Sequence, residues 1–198
     1  TLVLITTPWW WIYGRLGLGL LPNILMIGTI WAATVNPSKR KTALASVSTF
    51  FAVAASWHGV FLMPFLWFQV WRKRGLDRLT LSLVGASFVG GLMILLWVSQ
   101  GGGFSELGSH IGERVEKDWT WNQFVQRQWD FAKTLLPLWY IILAVPAFMA
   151  GFVDYRTRYL TTSLTLMVLV FAVIPSNGAW IHDYWNFPIL LALFPGFS

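Results

Sequence analysis

The sequence predicts an all-α fold, a polytopic bundle of transmembrane helices with about seven membrane segments. Hydrophobic residues make up 56% of the chain and charged residues only 11%, whereas a soluble domain averages roughly 25% charged residues. Several apolar runs approach the length of about 20 residues that crosses a bilayer. The Lys and Arg residues lie in short clusters between these runs, which is typical of topology determinants and argues against a nucleic-acid interface.

The apolar runs define the expected membrane segments in chain order. They cover 2–13, 17–35, 42–71, 79–98, 135–153, 160–175 and 185–198. We expect residues 1–198 to form a single transmembrane domain. Because both ends of the sequence lie in apolar runs, we also expect the chain to be an internal piece of a longer polytopic protein. The chain contains no Cys, so it offers neither disulfides nor thiolate chemistry.

The run 42–71 is too long for one crossing of the membrane. As a single straight helix it would measure about 45 Å, against a hydrocarbon core of roughly 30 Å. A single crossing would also place the basic segments "SKRK" (38–41) and "RKRGLDR" (72–78) on opposite sides, which the positive-inside tendency disfavours. We therefore predict a hairpin of two short helices, about 42–55 and 59–71, that turns at Ser56–Gly59.

This hairpin fixes the sidedness of the other loops. The polar stretch 99–134 and the segment "SNGAWIHDYW" (176–185) then lie on the external side. The predicted cytoplasmic loops contain only two acids, Asp77 and Asp154, but most of the basic residues: Lys39, Arg40, Lys41, Arg72, Lys73, Arg74, Arg78, Arg156 and Arg158. This asymmetry predicts a multi-pass protein of a bacterial inner membrane.

The segment "WTWNQFVQRQWDFAK" (119–133), inside the external loop 99–134, predicts an amphipathic helix that lies on the membrane surface. At helical spacing one face is apolar and the other is polar or charged: Trp121, Phe124, Val125, Trp129 and Ala132 against Gln123, Arg127, Asp130 and Lys133. Such a helix is either a lid or anchor without chemistry, or a surface that helps to gather a lipid-linked substrate.

Candidate binding residues lie on the predicted external side. His58 at the hairpin turn and Arg15 are candidates for phosphate contacts; alternatively, both side chains simply reach the headgroup zone. His182, Asp183 and Tyr184 in "WIHDYWNFP" are candidates for lining a cavity; alternatively, Asp183 caps the following helix and Tyr184 belongs to an interfacial aromatic belt. The three histidines of the chain lack metal-ligand spacing, so the sequence indicates no metal site.

Three stretches resemble the GT-C superfamily of membrane glycosyltransferases, in the branch of protein O-mannosyltransferases and bacterial aminoarabinose transferases (glycosyltransferase family 39-like). They are "TPWWWIYGRLGLGLLPN" (7–23), "AASWHGVFLMPFL" (54–66) and "HDYW" (182–185), the last followed by Pro188. The chain departs from the family pattern at the hairpin turn, where His58 replaces the usual Lys and Val60 the usual Pro. Asn23 stands where an acid is common.

The resemblance implies transfer of a sugar from a polyprenyl-phosphate carrier to a glycan, lipid or protein acceptor on the periplasmic side. It implies that His58 and Arg15 face the phosphate, and that His182, Asp183 and Tyr184 face the sugar or acceptor. It also implies a catalytic Asp in an external loop upstream of residue 1. We therefore assign no catalytic residue and expect this piece alone to be inactive. The cofactor is unknown; a divalent metal is compatible with the reaction, but the sequence does not indicate one.

Two other classes of function are open from sequence. The first is a transporter or flippase of lipid-linked or small polar substrates, a class that favours inverted repeats and broken helices near the bilayer midplane. The sequence has no visible internal repeat, and its polar groups gather at one side. The second is a non-catalytic subunit that organises other membrane enzymes.

Overall fold

A computed structural model describes residues 20–100, 108–109, 112–113, 117–135, 138–174 and 176–181. The regular structure within these ranges is helical throughout, which confirms the all-α prediction. The helices form two compact units, α1–α4 and α5–α8. Their bounds are α1 (Leu20–Val35), α2 (Lys39–Ala55), α3 (Trp57–Arg74), α4 (Arg78–Gln100), α5 (Trp121–Leu135), α6 (Leu138–Val153), α7 (Arg158–Val173) and α8 (Ser176–Ile181).

Helices α1 and α2 pack against each other in antiparallel orientation. Near the loop that joins them, the hydroxyls of Thr29 and Ser48 share a hydrogen bond of 2.5 Å. Farther from that loop, Asn23 Nδ2 donates to Ser56 Oγ over 2.8 Å. The residue number of the contact thus decreases along α1 as it increases along α2, which is the register of an antiparallel pair.

The long apolar run 42–71 is broken at Ser56, as the hairpin prediction requires. Ser56 has extended backbone (φ −156°, ψ 144°) between the end of α2 and the start of α3. An ideal Cβ built on Gly59 would lie 2.5 Å from the Ala52 carbonyl carbon and 2.9 Å from Val53 N. In a continuous helix these positions would be about 9–10 Å apart along the axis, so the chain turns back sharply.

Helix α4 runs parallel to α2. Gly90 packs closely against α2. An ideal Cβ built on Gly90 would lie 3.0 Å from the Phe50 carbonyl oxygen and 3.1 Å from the Val53 side chain. A similar offset in sequence relates buried positions toward the first turns of the two helices: Thr42 and Thr80, and Ala45 and Leu83. Helix α3 therefore returns the chain to the end of the unit at which α2 begins.

Helix α4 is the described helix that is long and apolar enough to cross a membrane. It has 23 residues, and residues 79–100 carry no charge. Only 17% of its most apolar 18-residue stretch is buried, whereas the core helix of a soluble protein would be mostly buried. This helix indicates membrane association. The other strongly apolar helices, α1, α6 and α7, have 16 residues each, so the seven-segment bundle remains a prediction.

In the second unit, α7 contacts α6 and α8, and α8 contacts α5. Arg158 fastens the turn between α6 and α7. Its Nε donates to Phe152 O over 2.8 Å and its Nη2 to Val153 O over 3.2 Å. These carbonyls belong to the last turn of α6, where they lack partners inside the helix and where a cation is also favoured by the helix dipole.

The predicted helix boundaries are off by a few residues, and side-chain caps explain several of the shifts. The predicted interfacial helix 119–133 is observed as Trp121–Leu135, because Thr120 and Gln123 form a reciprocal cap at its start. Thr120 N donates to Gln123 Oε1 over 2.7 Å, and Gln123 N to Thr120 Oγ1 over 3.3 Å. Similarly, α2 begins before residue 42 because Ser38 Oγ accepts a bond from Lys41 N.

Candidate functional site

Of the sequence-predicted site residues, His58 lies within the described part of the chain. It is half-buried in the first turn of α3, two residues after the break at Ser56. Arg15, His182, Asp183 and Tyr184 lie outside the described residues. Their predicted approach to a common cavity therefore remains a prediction.

The corner that carries His58 is organised by one hydroxyl group. Ser56 Oγ accepts hydrogen bonds from Gly59 N (3.1 Å) and Asn23 Nδ2 (2.8 Å), and it donates to Ala52 O over 3.2 Å. It thereby caps the start of α3, closes the end of α2 and attaches α1, through an Asn23 side chain that is 3% exposed. His58 thus lies two residues from a corner at which three helices are joined by hydrogen bonds.

A second candidate site lies in the unit α5–α8, and Trp119 is at its centre. The Trp119 ring stacks on Phe124 and on Trp180, with centroid distances of 4.8 and 5.7 Å. Trp121 meets it edge to face at 5.4 Å. Trp119 itself is buried, so the rings form a packed aromatic layer at the start of α5.

Two exposed cations lie over these rings. Lys117 Nζ is 4.6 Å from the centroid of Trp121 and 5.5 Å from that of Trp119. The Arg127 guanidinium carbon is 4.9 Å from the Trp180 centroid. Both distances lie within the range of cation–π attraction, of which Trp is the strongest acceptor. We call Lys117, Trp119, Trp121, Arg127 and Trp180 the tryptophan–cation cluster.

The cluster ties α5 to α8. Arg127 Nε donates to the Trp180 carbonyl oxygen over 2.6 Å, which fixes the guanidinium above the ring of the same residue. Asn177 adds a second connection: its Oδ1 accepts from Trp119 Nε1 over 3.4 Å, and its Nδ2 donates to Glu113 O over 2.8 Å. Residues 182–184 of the "HDYW" motif follow α8 directly in sequence, so the cluster anchors the helix that leads into them.

Helix α5 also presents an exposed apolar face. Trp121, Val125 and Trp129 lie at helical spacing and are 50%, 63% and 49% exposed. Side chains on the polar face of α5 interact with one another: Asp130 accepts hydrogen bonds from Lys133 (2.8 Å) and Gln126 (3.2 Å). The bonds from Lys133 and Gln126 lower the pKa of Asp130. An amphipathic helix with large exposed aromatics suits the boundary between water and lipid.

This arrangement can bind an amphiphilic anion. Lys117 and Arg127 offer positive charge to a phosphate, and the half-exposed Trp121 ring offers flat apolar surface to a sugar face or an alkyl chain. The neighbouring apolar face of α5 would keep the long tail of such a ligand in lipid. In the described residues, no group of three or more His, Cys, Asp or Glu side chains could hold a metal ion.

Sequence reasoning found α5 and its two faces but missed the cluster. Trp119 and Trp180 are far apart in sequence, and no local periodicity signals that their rings stack. Both tryptophans look like members of an interfacial aromatic belt when read alone. The available signal was the pairing of Lys117 with two nearby tryptophans in "KDWTW" (117–121), a spacing that permits cation–π contact.

The comparisons with known proteins leave the family open. No protein-family model, no curated protein and no solved structure matches this chain. The GT-C resemblance therefore depends on the three short motifs at 7–23, 54–66 and 182–185, and the function that it implies is a proposal.

Proposed function

We propose that the chain is part of a multi-pass membrane glycosyltransferase of the bacterial inner membrane. The enzyme transfers a sugar from a polyprenyl-phosphate donor to a glycan, lipid or protein acceptor on the periplasmic side. The single observation that carries the proposal is the tryptophan–cation cluster, in which two exposed cations lie over stacked Trp rings beside an exposed amphipathic helix.

The chemistry of the donor matches the parts of this site. A polyprenyl-phosphate sugar has a long apolar tail, an anionic phosphate and a sugar with one apolar face. The apolar face of α5 receives the tail at the membrane surface. Lys117 and Arg127 attract the phosphate, and the half-exposed Trp121 ring stacks on the sugar, as aromatic rings do on flat apolar groups.

In the proposed reaction an acceptor hydroxyl attacks the anomeric carbon of the donor sugar. The bond from that carbon to the phosphate oxygen breaks, and the polyprenyl phosphate leaves with the bonding electrons. A carboxylate takes the hydroxyl proton. Cations near the phosphate stabilise the negative charge that grows on the leaving oxygen, so their contribution increases toward the transition state.

The GT-C resemblance implies further binding residues, which we propose independently of the tryptophan–cation cluster. His58 and Arg15 contact the phosphate. His182, Asp183 and Tyr184 face the sugar or the acceptor. The helix that precedes this motif in sequence, α8, is held by Arg127 and Asn177.

The test is a transfer assay with the natural full-length protein in liposomes, a radiolabelled polyprenyl-phosphate sugar and an acceptor extract. Lys117→Gln/Arg127→Gln should lower kcat/KM for the donor by about a hundredfold or more, since charged hydrogen bonds contribute about 1.5–3 kcal/mol each. Arg156→Gln, which removes an exposed charge from the α6–α7 turn, is the matched control and should leave kcat/KM unchanged.

Two results would count against the proposal. Sugar transfer that is unaffected in the double variant would remove the cluster from the site. Movement of labelled donor across the bilayer without any chemical product would identify a flippase instead. Loss of transfer on His58→Ala or Asp183→Ala would support a role for these sequence-predicted residues, and unchanged transfer in both would exclude them.

A further inference from the structure

The end of the first unit at which α2 begins carries a concentration of basic residues. We call this surface the basic end; it consists of Lys39, Arg40, Lys41, Arg72, Lys73, Arg74 and Arg78. It lies in a different unit from the tryptophan–cation cluster. A role for the basic end therefore does not depend on the proposed glycosyltransferase activity.

The parallel register of α2 and α4 brings these residues together. Gly90 of α4 lies against Phe50 and Val53 of α2, and the buried positions match back to Thr42 and Thr80. The first turns of α2 and α4 are therefore neighbours. The last turn of α3 is joined to α4 by the short segment 75–77, so all three groups of cations occupy one end of the unit.

Residues 20–100 contain seven cations, all of them in the basic end, and one acid, Asp77. Asp77 is hydrogen-bonded to Arg74 (2.6 Å) and to the backbone N and hydroxyl of Thr80. The first turn of α2 contains three cations and no acid. Cations are unfavourable at that position, because the helix dipole is positive there. A layer of anions from outside would relieve this repulsion.

Apolar side chains are exposed among and beside the cations. Leu76, in the turn between α3 and α4, is 67% exposed, and Leu81 is 57% exposed one turn into α4. Trp71 and Phe68 are exposed in the last turns of α3, where the Arg72 guanidinium carbon lies 6.0 Å from the Phe68 ring centroid. Cations with exposed apolar side chains beside them suit a binding partner that has an anionic outer layer and an apolar interior.

We propose that the basic end binds anionic phospholipid headgroups of the bilayer and prefers them to zwitterionic ones. Lys39, Arg40, Arg72 and Arg78 contact the phosphates, and Leu76 and Leu81 enter the acyl region beneath them. A nucleic acid offers the same phosphate charge but no apolar layer for these two leucines. The combined surface therefore selects the lipid.

The experiment is native mass spectrometry of the full chain in neutral detergent with equimolar phosphatidylglycerol and phosphatidylcholine of identical acyl chains. We expect phosphatidylglycerol to bind preferentially, and the preference to weaken as ionic strength rises. Lys39→Gln/Arg40→Gln should reduce the preference by about fivefold for each cation removed. Arg72→Gln/Arg78→Gln, a change on the other two helices of the basic end, should have the same effect.

The matched control is Lys133→Gln/Arg156→Gln, which removes two exposed cations of the other unit that lie outside the tryptophan–cation cluster and should retain the preference. Circular dichroism checks that every variant keeps its helices. Equal uptake of the two lipids by the unmodified chain would overturn the proposal, and so would an unchanged preference in both basic-end variants. Displacement of phosphatidylglycerol by inorganic phosphate or by a single-stranded oligonucleotide would also overturn it, in favour of a soluble anion.

Discussion

Single polar residues decide where the helices of the first unit begin and end. The Ser56 hydroxyl is hydrogen-bonded to three helices at once, and it converts a continuous apolar run into a corner. Asp77 has the same role at the start of α4, where its Oδ1 accepts from Thr80 N over 2.9 Å. A Ser or Asp in an otherwise apolar chain thus specifies topology through one cap.

Asp77 also yields a prediction about pH. Partial burial alone would raise the pKa of its carboxyl, but the hydrogen bonds from Thr80 and Arg74 outweigh it, and the pKa lies below its usual value. The carboxylate therefore stabilises the fold above roughly pH 4, and this contribution is lost as the pH falls through the folded pKa. Asp77→Asn, which keeps the cap, should cost about 0.5 kcal/mol at neutral pH.

Asp77→Ala removes cap and charge together and should cost about 1–2 kcal/mol. Equilibrium unfolding in mixed micelles, followed by circular dichroism between pH 3 and pH 7, measures both variants. The difference between the unmodified chain and Asp77→Asn should vanish at the acid end. A difference that stays constant across this range would show that the charge of Asp77 contributes nothing.

At the scale of the helices, the sequence was sufficient to locate most elements. The break in 42–71 followed from the length of the run and from the charges at its two ends, and the structure has it at Ser56. The amphipathic helix followed from the spacing of Trp121, Val125 and Trp129. The exact first residues did not follow, because they depend on caps such as the Thr120–Gln123 pair.

The corner between α2 and α3 depends on the absence of a side chain at Gly59. A Cβ there would meet the backbone of Ala52, which cannot move without disrupting the end of α2. We expect Gly59→Ala to cost about 2 kcal/mol or more, the range of overpacking in a closed site. Gly85→Ala is the matched control, since a Cβ there meets nothing within 4 Å.

Because Ala is the better residue in the interior of a helix, Gly85→Ala should be neutral or stabilising by up to about 1 kcal/mol. Thermal unfolding of the two variants in one detergent compares them directly. Equal stability of Gly59→Ala and Gly85→Ala would mean that the corner is open enough to accept a methyl group.

For the whole molecule, the arrangement of helices could be predicted only where charge constrained it. The two basic clusters were expected at one end of the first unit, and the register of α2 and α4 brings them there. The stacking of Trp119 on Trp180 could not be predicted, since it joins residues far apart in a chain with 14 Trp. Nothing in the local pattern selects one such pair among so many.

The arrangement of the first unit predicts which positions share a side of the membrane. The chain lacks Cys, so single cysteines can be introduced without background. Asn36→Cys and Lys73→Cys should react with an impermeant thiol reagent from one side of sealed vesicles. Ser99→Cys, at the far end of α4, should react from the other side. Labelling of positions 36 and 73 from opposite sides would contradict a membrane-spanning unit with this fold.

The contact between α2 and α4 cannot depend on hydrophobic burial if these helices lie in a bilayer. Lipid tails are as apolar as leucine side chains, so burying apolar surface between two helices gains little free energy there. Here the absence of a side chain at Gly90 lets α4 approach the Phe50 carbonyl oxygen and Val53 of α2, and the attraction comes from close fit. The pair should therefore tolerate exchange of its surrounding lipid for many detergents, yet separate when a single bulky group is wedged into this contact.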